Sequence, residues 1–500
     1  MEEKYKALQA KLKEVKNIND SAAVLGWDQQ VYMPSGGAIA RAEQLATLGK
    51  LAHEIFTTDE IGQLLTELLE AENPYASEVA STVRVAKRDY DKACKLPPEL
   101  VEEMSRTFSL GQQVWTRARA EQDFAQFQEI LERIVDLNIQ AAEAYGYEET
   151  IYDALLDLYE PGMKTAEVTR VFAELKSDLV PLVKAIAEHK DAVDDSFLRQ
   201  NYPVQSQWEF GMIPLQAIGY DLQRGRQDQS AHPFTTSFSV NDVRITTRVN
   251  EKTFPSALFG TLHEGGHALY EQNVSEALEG TVLAGGTSLG VHESQSRLWE
   301  NVLGRSKAFW QFYYPQLQDV FPLQLKDVSL DSFYRAINKV EPGLIRVEAD
   351  EVTYNLHIFL RFELEQELLA KRLKVSDLPE AWNAKMQDYL GLTPANDAVG
   401  VLQDIHWSTG SFGYFPTYTL GNILSLQFYK QTRQDIPDLS DQFVRGEFGT
   451  LLAWFKDKVH QYGRIFMAKE LLERVTGSRH IEAGPYMSYI REKYAEIYDL

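Results

Sequence analysis

TLHEGGHALYEQ, residues 261–272, sets two histidines four positions apart, with a glutamate directly after the first and a pair of glycines between them. On an α-helix four residues turn through about 400°, so His263 and His267 point within roughly 40° of each other and stand about 6 Å apart along the axis. Two imidazoles so placed can grip one cation, and Glu264 can reach a water on that cation as its general base. With ten histidines in 500 residues, such a pattern is expected by chance on the order of a hundredth or two times per chain of this length. The reading needs a helix, yet each glycine costs about 1 kcal/mol relative to alanine. With His263 at zero, Gly265 falls about 200° round, on the back, and Gly266 about 300° round, on the flank of the metal face. Packing must therefore outweigh propensity. A neighbouring element is expected to approach closely at Gly265, and Gly266 is expected to leave room beside the metal.

A catalytic zinc takes a third protein ligand and keeps one position open for water. The extension H-x-x-G-x-x-H fails, because Tyr270 and Asn273 stand where it needs glycine and histidine. Glu271 continues the same face but lies one turn further on, too far for a straight helix to bring all three ligands together. The third ligand is expected from another element. Glu293, in VHESQSRLWE, follows the glycine-rich LAGGTSLG (283–290) and begins a helical pattern with Leu298, Trp299 and Val302 on its apolar side. Glu300 competes with it, and reads more simply as a solvated helix residue.

Hydrophobic residues make up 44% and charged residues 25%, ordinary values for a globular chain. The formal net charge of −23 argues against a nucleic-acid or anionic-membrane partner, which needs clustered Lys and Arg. The single cysteine, Cys94, excludes an intramolecular disulfide and any multi-cysteine metal site, and reads as a buried or neutral residue. The N-terminal Lys and Glu alternate at helical spacing without the apolar core of a signal peptide, so a cytoplasmic protein is expected. Helical periodicity dominates the first 200 residues, with breaks at NPYAS and KLPPEL, and returns from Pro255 to the C-terminus. Between about 230 and 250, FTTSFSV and VRITTRV alternate polar with apolar residues and read as a β-hairpin. One mainly α body, 1–500, is expected, with an N-terminal helical part of about 1–200 and a catalytic part of about 230–500.

Three further clusters mix polar with aromatic or turn residues: IRVEAD (345–350), GVLQDIHW (400–407) and GYFPTY (413–418). Hydrolysis of an amide produces a tetrahedral oxyanion that a neutral His or Tyr donor can stabilise, which makes His406 and Tyr418 candidates. An arginine can hold a substrate carboxylate in a bidentate pair, and Arg346 and Arg244 are candidates for that. Each arginine also has a purely structural reading, Arg346 paired with Asp350 across a helical turn and Arg244 paired with Asp242 on the hairpin.

With HPF (232–234), DVRIT (242–246), HEGGH (263–267), HESQ (292–295), IRVEAD and GVLQDIHW in order, and with WDQQVYMP and YDALLDLYEPG, the whole chain resembles the carboxypeptidase Taq family of metallocarboxypeptidases. The resemblance implies a helical, cleft-containing fold similar to the peptidyl dipeptidase and oligopeptidase group, with a small β-structure at the cleft wall. It implies a homodimer that removes single residues from peptide C-termini with broad specificity, using zinc or in some cases cobalt. By motif, His263, His267 and Glu293 would be the ligands and Glu264 the general acid/base. Arg346 or Arg244 would hold the terminal carboxylate, and an H…GYxxxY-like arrangement points to His406 and Tyr418, with Tyr414 behind them. The rival readings are a zinc endo-oligopeptidase and a non-enzymatic peptide-binding scaffold with a structural metal.

Overall fold

Helices run through most of the chain, and several of their breaks fall at proline or glycine, although helices Thr165–Glu188, Val204–Ala217 and Lys307–Val320 each continue through an internal proline. The computed structural model describes residues 2–71 and 77–500, so the break read at NPYAS (73–77) lies outside them apart from Ser77. Helix Glu2–Val31 ends before Pro34, a single 3₁₀ turn Ser35–Gly37 follows, and helix Ala38–Phe56 packs back against the first. Helix Glu78–Lys95 stops ahead of Pro97, and Pro98 opens helix Pro98–Glu121, where its missing N–H costs nothing. Cys94, read as buried or neutral, is exposed near the end of helix Glu78–Lys95. Among the described residues no helix is long and apolar enough to cross a membrane.

Contacts divide the chain into two units, each assembled from separated segments. The first comprises Met1–Cys94, Asp194–Ile337 and Ser425–His480, and the second Lys95–Val193, Asn338–Leu424 and Ile481–Leu500.

The first unit holds the predicted hairpin. Strands β1 (Gln227–Gln229), β2 (Thr235–Ser239) and β3 (Asp242–Thr247) form one sheet in the order β1-β3-β2. β2 pairs antiparallel with β3, with a register irregularity between Ser237 and Ser239. β1 pairs parallel with β3 and was invisible in the sequence, because three polar residues show no alternation. The middle strand β3 buries Val243, Ile245, Thr246 and Thr247. Helix Phe254–Gln272, started by Pro255 in its first turn, lies on β2 and β3 and also touches helices Val204–Ala217 and Leu289–Arg297. A satellite core of Leu8, Leu12, Ile61, Leu65, Leu68, Val83 and Ala86 closes the N-terminal helices on one another.

The second unit is organised on helix Tyr354–Leu369, packed by helices Ala125–Tyr145, Thr165–Glu188 and Leu378–Leu390. A helix buried on every side is ordinarily apolar on every side. This one also buries His357, Arg361 and Glu365 completely. IRVEAD differs from expectation: it forms a 3₁₀ turn, Arg346–Glu348, and no α-turn carries Arg346 onto Asp350.

Candidate metal centre

HEGGH lies mid-helix in Phe254–Gln272, with Glu264, Gly265 and Gly266 all buried. A Cβ at Gly265 would meet the end of a flexible side chain, Leu215 Cδ1, at 2.7 Å, which is the close approach expected there. Gly266 corrects the other half of the expectation. A Cβ at that position would stand 2.6 Å from the Gln295 carbonyl oxygen and 2.6 Å from Ser296 Cα. It does not leave room beside the metal. Instead it admits the backbone of helix Leu289–Arg297, and that helix carries Glu293.

Glu293 is thereby delivered to the histidines. Its Oε2 lies 3.3 Å from His267 Nε2 and 3.8 Å from His263 Nε2, and one ligand atom from each of the three residues falls within 4.8 Å of the others. Bonds of about 2.1 Å in a tetrahedral shell put neighbouring ligand atoms about 3.4 Å apart, so the donor set fits a small divalent ion. Arg297 Nε donates to Glu293 Oε1 at 2.7 Å, which turns Oε2 towards the imidazoles. Burial alone would raise the Glu293 pKa, but Arg297, His263 and His267 outweigh it and hold the group well below the usual carboxylate range.

The far nitrogen of each histidine is engaged as well. His263 Nδ1 is 2.8 Å from Glu300 Oε2, so a neutral ring donates there and keeps the Nε2 lone pair for a metal. Glu300 is therefore a hydrogen-bond partner of His263 and not a solvated helix residue. It sits on a π-helix, Leu298–Leu303, that continues the Glu293 helix and closes with a bond from the Gly304 N–H to the Trp299 carbonyl. Burial opposes charge on Glu300, yet Arg297 and His263 bring its pKa down to about 2. Burial also disfavours the charged form of His263, but Glu293 and Glu300 outweigh it and the net shift is upward.

His267 is served by a longer relay. His292 Nε2 is 2.8 Å from Glu271 Oε1 and His292 Nδ1 is 2.6 Å from His267 Nδ1. The Nε2–H of a neutral His292 donates to the carboxylate, and its Nδ1 then accepts from the His267 Nδ1–H, which again leaves the His267 Nε2 lone pair free. Burial lowers the His267 pKa to about 4, in keeping with a neutral ligand. Glu271, too distant to ligate, acts one residue further out. Neither it nor His292 was assigned from the sequence, because the relay depends on a second helix whose approach only Gly266 permits.

Glu264 stands beside this set with Thr235 Oγ1 2.6 Å from its Oε2, so β2 fixes its orientation. Burial is the main cause raising its pKa, with neighbouring Glu293 and Glu300 adding to it against His263 and Thr235. A carboxylate with raised affinity for protons beside a metal water is a suitable general base.

The remaining sequence candidates fall into both units. Arg244, on β3, pairs through Nε and Nη2 with both oxygens of Asp242 at 2.8 Å and lies over the Trp27 ring. In the second unit His406 Nε2 is 3.2 Å from Tyr418 OH, and Tyr414 packs on both rings. Arg346 is buried there too, with Asp404 as its partner in place of Asp350. Its Nε and Nη2 reach Asp404 Oδ1 at 3.0 and 2.8 Å, and Nη1 donates to Tyr354 OH at 2.8 Å. Asp350 caps the next turn through the Val352 and Thr353 N–H groups.

The family model described as Carboxypeptidase Taq (M32) metallopeptidase matches residues 7–494. Thermostable carboxypeptidase 1 of Thermus thermophilus is 43% identical over 491 residues, 95% of each chain. Carboxypeptidase 1 of Bacillus subtilis is 40% identical over 487 residues, 97% of each. A crystal structure of an M32 carboxypeptidase from Deinococcus radiodurans R1 superposes with a TM-score of 0.96 at 43% identity, covering 99% of this chain and 100% of that one.

Proposed function

The chain belongs to the carboxypeptidase Taq metallopeptidase family and is a metal-dependent carboxypeptidase, and from that premise we propose that His263, His267 and Glu293 hold one zinc ion with Glu264 as general base. The observation that carries the proposal is the convergence of two imidazole nitrogens and one carboxylate oxygen within 4.8 Å, with the far nitrogen of each ring engaged by a neighbouring side chain. Two nitrogens and one oxygen suit zinc, and cobalt accepts the same set. When bound, the ion lowers the pKa of a water towards about 7 and polarises the scissile carbonyl.

The protein groups do the rest. Glu264, oriented by Thr235, takes a proton from the attacking water and returns it to the leaving amine. Tyr418 and His406, with Tyr414 packed against them, are proposed to donate to the developing oxyanion. Between the two arginines, Arg244 is the better anchor for the substrate's terminal carboxylate. Its Nη1 lies outside the fork it makes with Asp242, whereas Arg346 commits Nε, Nη1 and Nη2 to Asp404 and Tyr354. Release of single residues with broad specificity and assembly as a homodimer complete the reading on the family resemblance, and action as one metallopeptidase domain over 1–500 with residence in the cytoplasm on the sequence pattern.

The test is mass spectrometry of a peptide mixture incubated with metal-loaded and chelator-treated protein. Stepwise C-terminal ladders are expected only with metal, and only from peptides whose C-terminus is free. Internal cuts in C-terminally amidated peptides would overturn the carboxylate anchor.

A further inference from the structure

Among the three ionisable residues buried on helix Tyr354–Leu369, Arg361 has an obvious counter-charge. Its Nε donates to Asp404 Oδ2 at 2.7 Å, Nη2 to Gln403 Oε1 at 2.8 Å and Nη1 to the His357 carbonyl at 2.6 Å. Glu365, one turn further along, is different. It is fully buried, and among the described residues no Lys or Arg makes an ion pair with it. Three neutral donors meet it from other segments: Tyr152 OH at 2.6 Å and the Gly413 N–H at 3.1 Å on Oε2, and Trp407 Nε1 at 2.9 Å on Oε1. A carboxylate without a cation in a core is costly unless several hydrogen bonds satisfy it, and a packed apolar residue would fill the same place at less expense. Burial pushes its pKa up to about 7 even against those three donors. The fold therefore tolerates an awkward group here, and the donors say what it holds.

Two of the three belong to the segment that carries His406. Gln403 and Asp404 are tied to Arg361, while Trp407 and Gly413 are tied to Glu365, so both ends of 403–413 are fastened to adjacent turns of one helix. The third donor, Tyr152, comes from helix Ile151–Leu156, and the loop rests on that helix too. Gly413 has φ of +90°, and a Cβ there would stand 2.7 Å from the Leu155 carbonyl carbon. Tyr159 meets the Tyr414 ring edge-on at 5.1 Å. His406 lies between the two fastenings, with Tyr414 and Tyr418 directly after the second.

We propose that Glu365 is a positioning residue for catalysis: it clamps Trp407 and Gly413 and so sets the spacing at which His406 and Tyr418 meet their substrate. The proposal rests on the roles given above to His406 and Tyr418. Glutamine at 365 keeps the shape but turns one acceptor oxygen into an NH₂ that faces a donor, so one of the three bonds must fail.

The experiment is Glu365→Gln in the metal-loaded enzyme, read by hydrogen exchange, steady-state kinetics and a double-mutant cycle with Tyr418→Phe. Protection of either the Gly413 amide or the Trp407 indole N–H is expected to fall, according to which oxygen the NH₂ replaces, while metal content and protection across 254–272 stay unchanged. The turnover number should drop at least about tenfold with KM within about twofold, as for groups that act only in the transition state. Tyr418→Phe added to Glu365→Gln should cost less than about twofold more, because both act through one loop. Unchanged turnover in Glu365→Gln, or full additivity in the cycle, overturns the proposal. Unchanged turnover in Tyr418→Phe alone removes the role of Tyr418, and protection of Gly413 and of the Trp407 indole N–H then decides whether Glu365 is a clamp: normal protection at both overturns it. Should Glu365→Gln fail to fold, Tyr152→Phe removes a single donor and is expected to loosen Gly413 in the same direction; normal protection there counts against the clamp.

Discussion

Among the polar networks buried in the described residues, two carry net charges of opposite sign. The histidine network of the first unit brings together four carboxylates, Glu264, Glu271, Glu293 and Glu300, against two guanidinium groups, Arg297 and Arg305. Four negative charges against two positive leave two in excess, the charge of one divalent cation. The network of the second unit pairs Arg346 and Arg361 on the two oxygens of Asp404, with neutral Gln403 and Tyr354 filling the remaining bonds. It leaves no lone pairs converging on a common point. Both are buried and both are dense in hydrogen bonds, but the first has an excess of negative charge and a shared focus, whereas the second has one positive charge in excess and no such focus. That difference, more than the presence of histidines, sets the candidate metal centre apart from the brace.

The largest effect should come from Glu264→Gln, which touches the first network without removing a ligand. Metal content should stay at one per chain while the turnover number falls by about a thousandfold or more, the upper range for a lost general base. Elemental analysis alongside kinetics checks both halves. Substantial turnover at full metal occupancy would remove Glu264 from the chemistry and leave the charge comparison without its functional edge.

Next in size is Asp404→Asn, which breaks the second network. Two buried guanidinium groups would lose their counter-charge, at about 3–5 kcal/mol of stability, read from the midpoint of urea unfolding. The pH dependence has a definite sign. Both arginines hold the Asp404 pKa far below its ordinary value, against the opposing effect of burial, so its contribution is complete above about pH 4 and is lost as the pH falls below that. The variant should show a shallower acid limb than the parent. A variant as stable as the parent at neutral pH would mean that the brace holds nothing.

How far these networks could be read in one dimension follows from how local their parts are. His263, Glu264 and His267 lie within one helical turn, and a period of 3.6 residues places them without a structure. Glu293 was reachable because a glycine-rich loop and a fresh helical pattern announce it. The structural pairing of Arg346 fails for the same reason in reverse: Asp350 stands one helical turn away in sequence, whereas the partner in the structure, Asp404, is 58 residues away. In sequence Glu300 reads as a solvated helix residue, because a π-turn leaves no mark in the residue pattern, yet in the structure it meets His263. The small sheet showed only its hairpin, since the parallel strand β1 contributes three polar residues.

Glu271→Gln sharpens the comparison at its edge. If the excess charge and the relay through His292 hold the His267 ring in its ligating form, loss of the outer carboxylate should weaken metal affinity by about 10–100-fold. Competition with a chromophoric chelator measures it, and cobalt substitution should show whether the ligand field changes. Affinity equal to the parent would reduce Glu271 to a packing residue.

The smallest effects, and the most telling for the fold, belong to the two glycines. Alanine at either position gains about 1 kcal/mol of helix propensity, so the sign of the outcome depends on what the new methyl meets. At Gly265 it meets the tip of Leu215, a side chain with rotamers to spare; the overpacking is relieved cheaply and net stability should change by less than about 1 kcal/mol. At Gly266 it meets the backbone of Gln295 and Ser296 at 2.6 Å. Backbone in a packed helix cannot step aside alone, so helix Leu289–Arg297 must move and carry Glu293 with it. Gly266→Ala should therefore lose about 1–3 kcal/mol and also bind metal more weakly, whereas Gly265→Ala should bind it as the parent does. Thermal unfolding with and without metal separates the two, since bound metal adds to the stability of whichever variant still holds it. Equal metal-induced shifts in the two variants would mean that the close approach at Gly266 serves packing alone, and that Glu293 reaches the histidines by some other constraint.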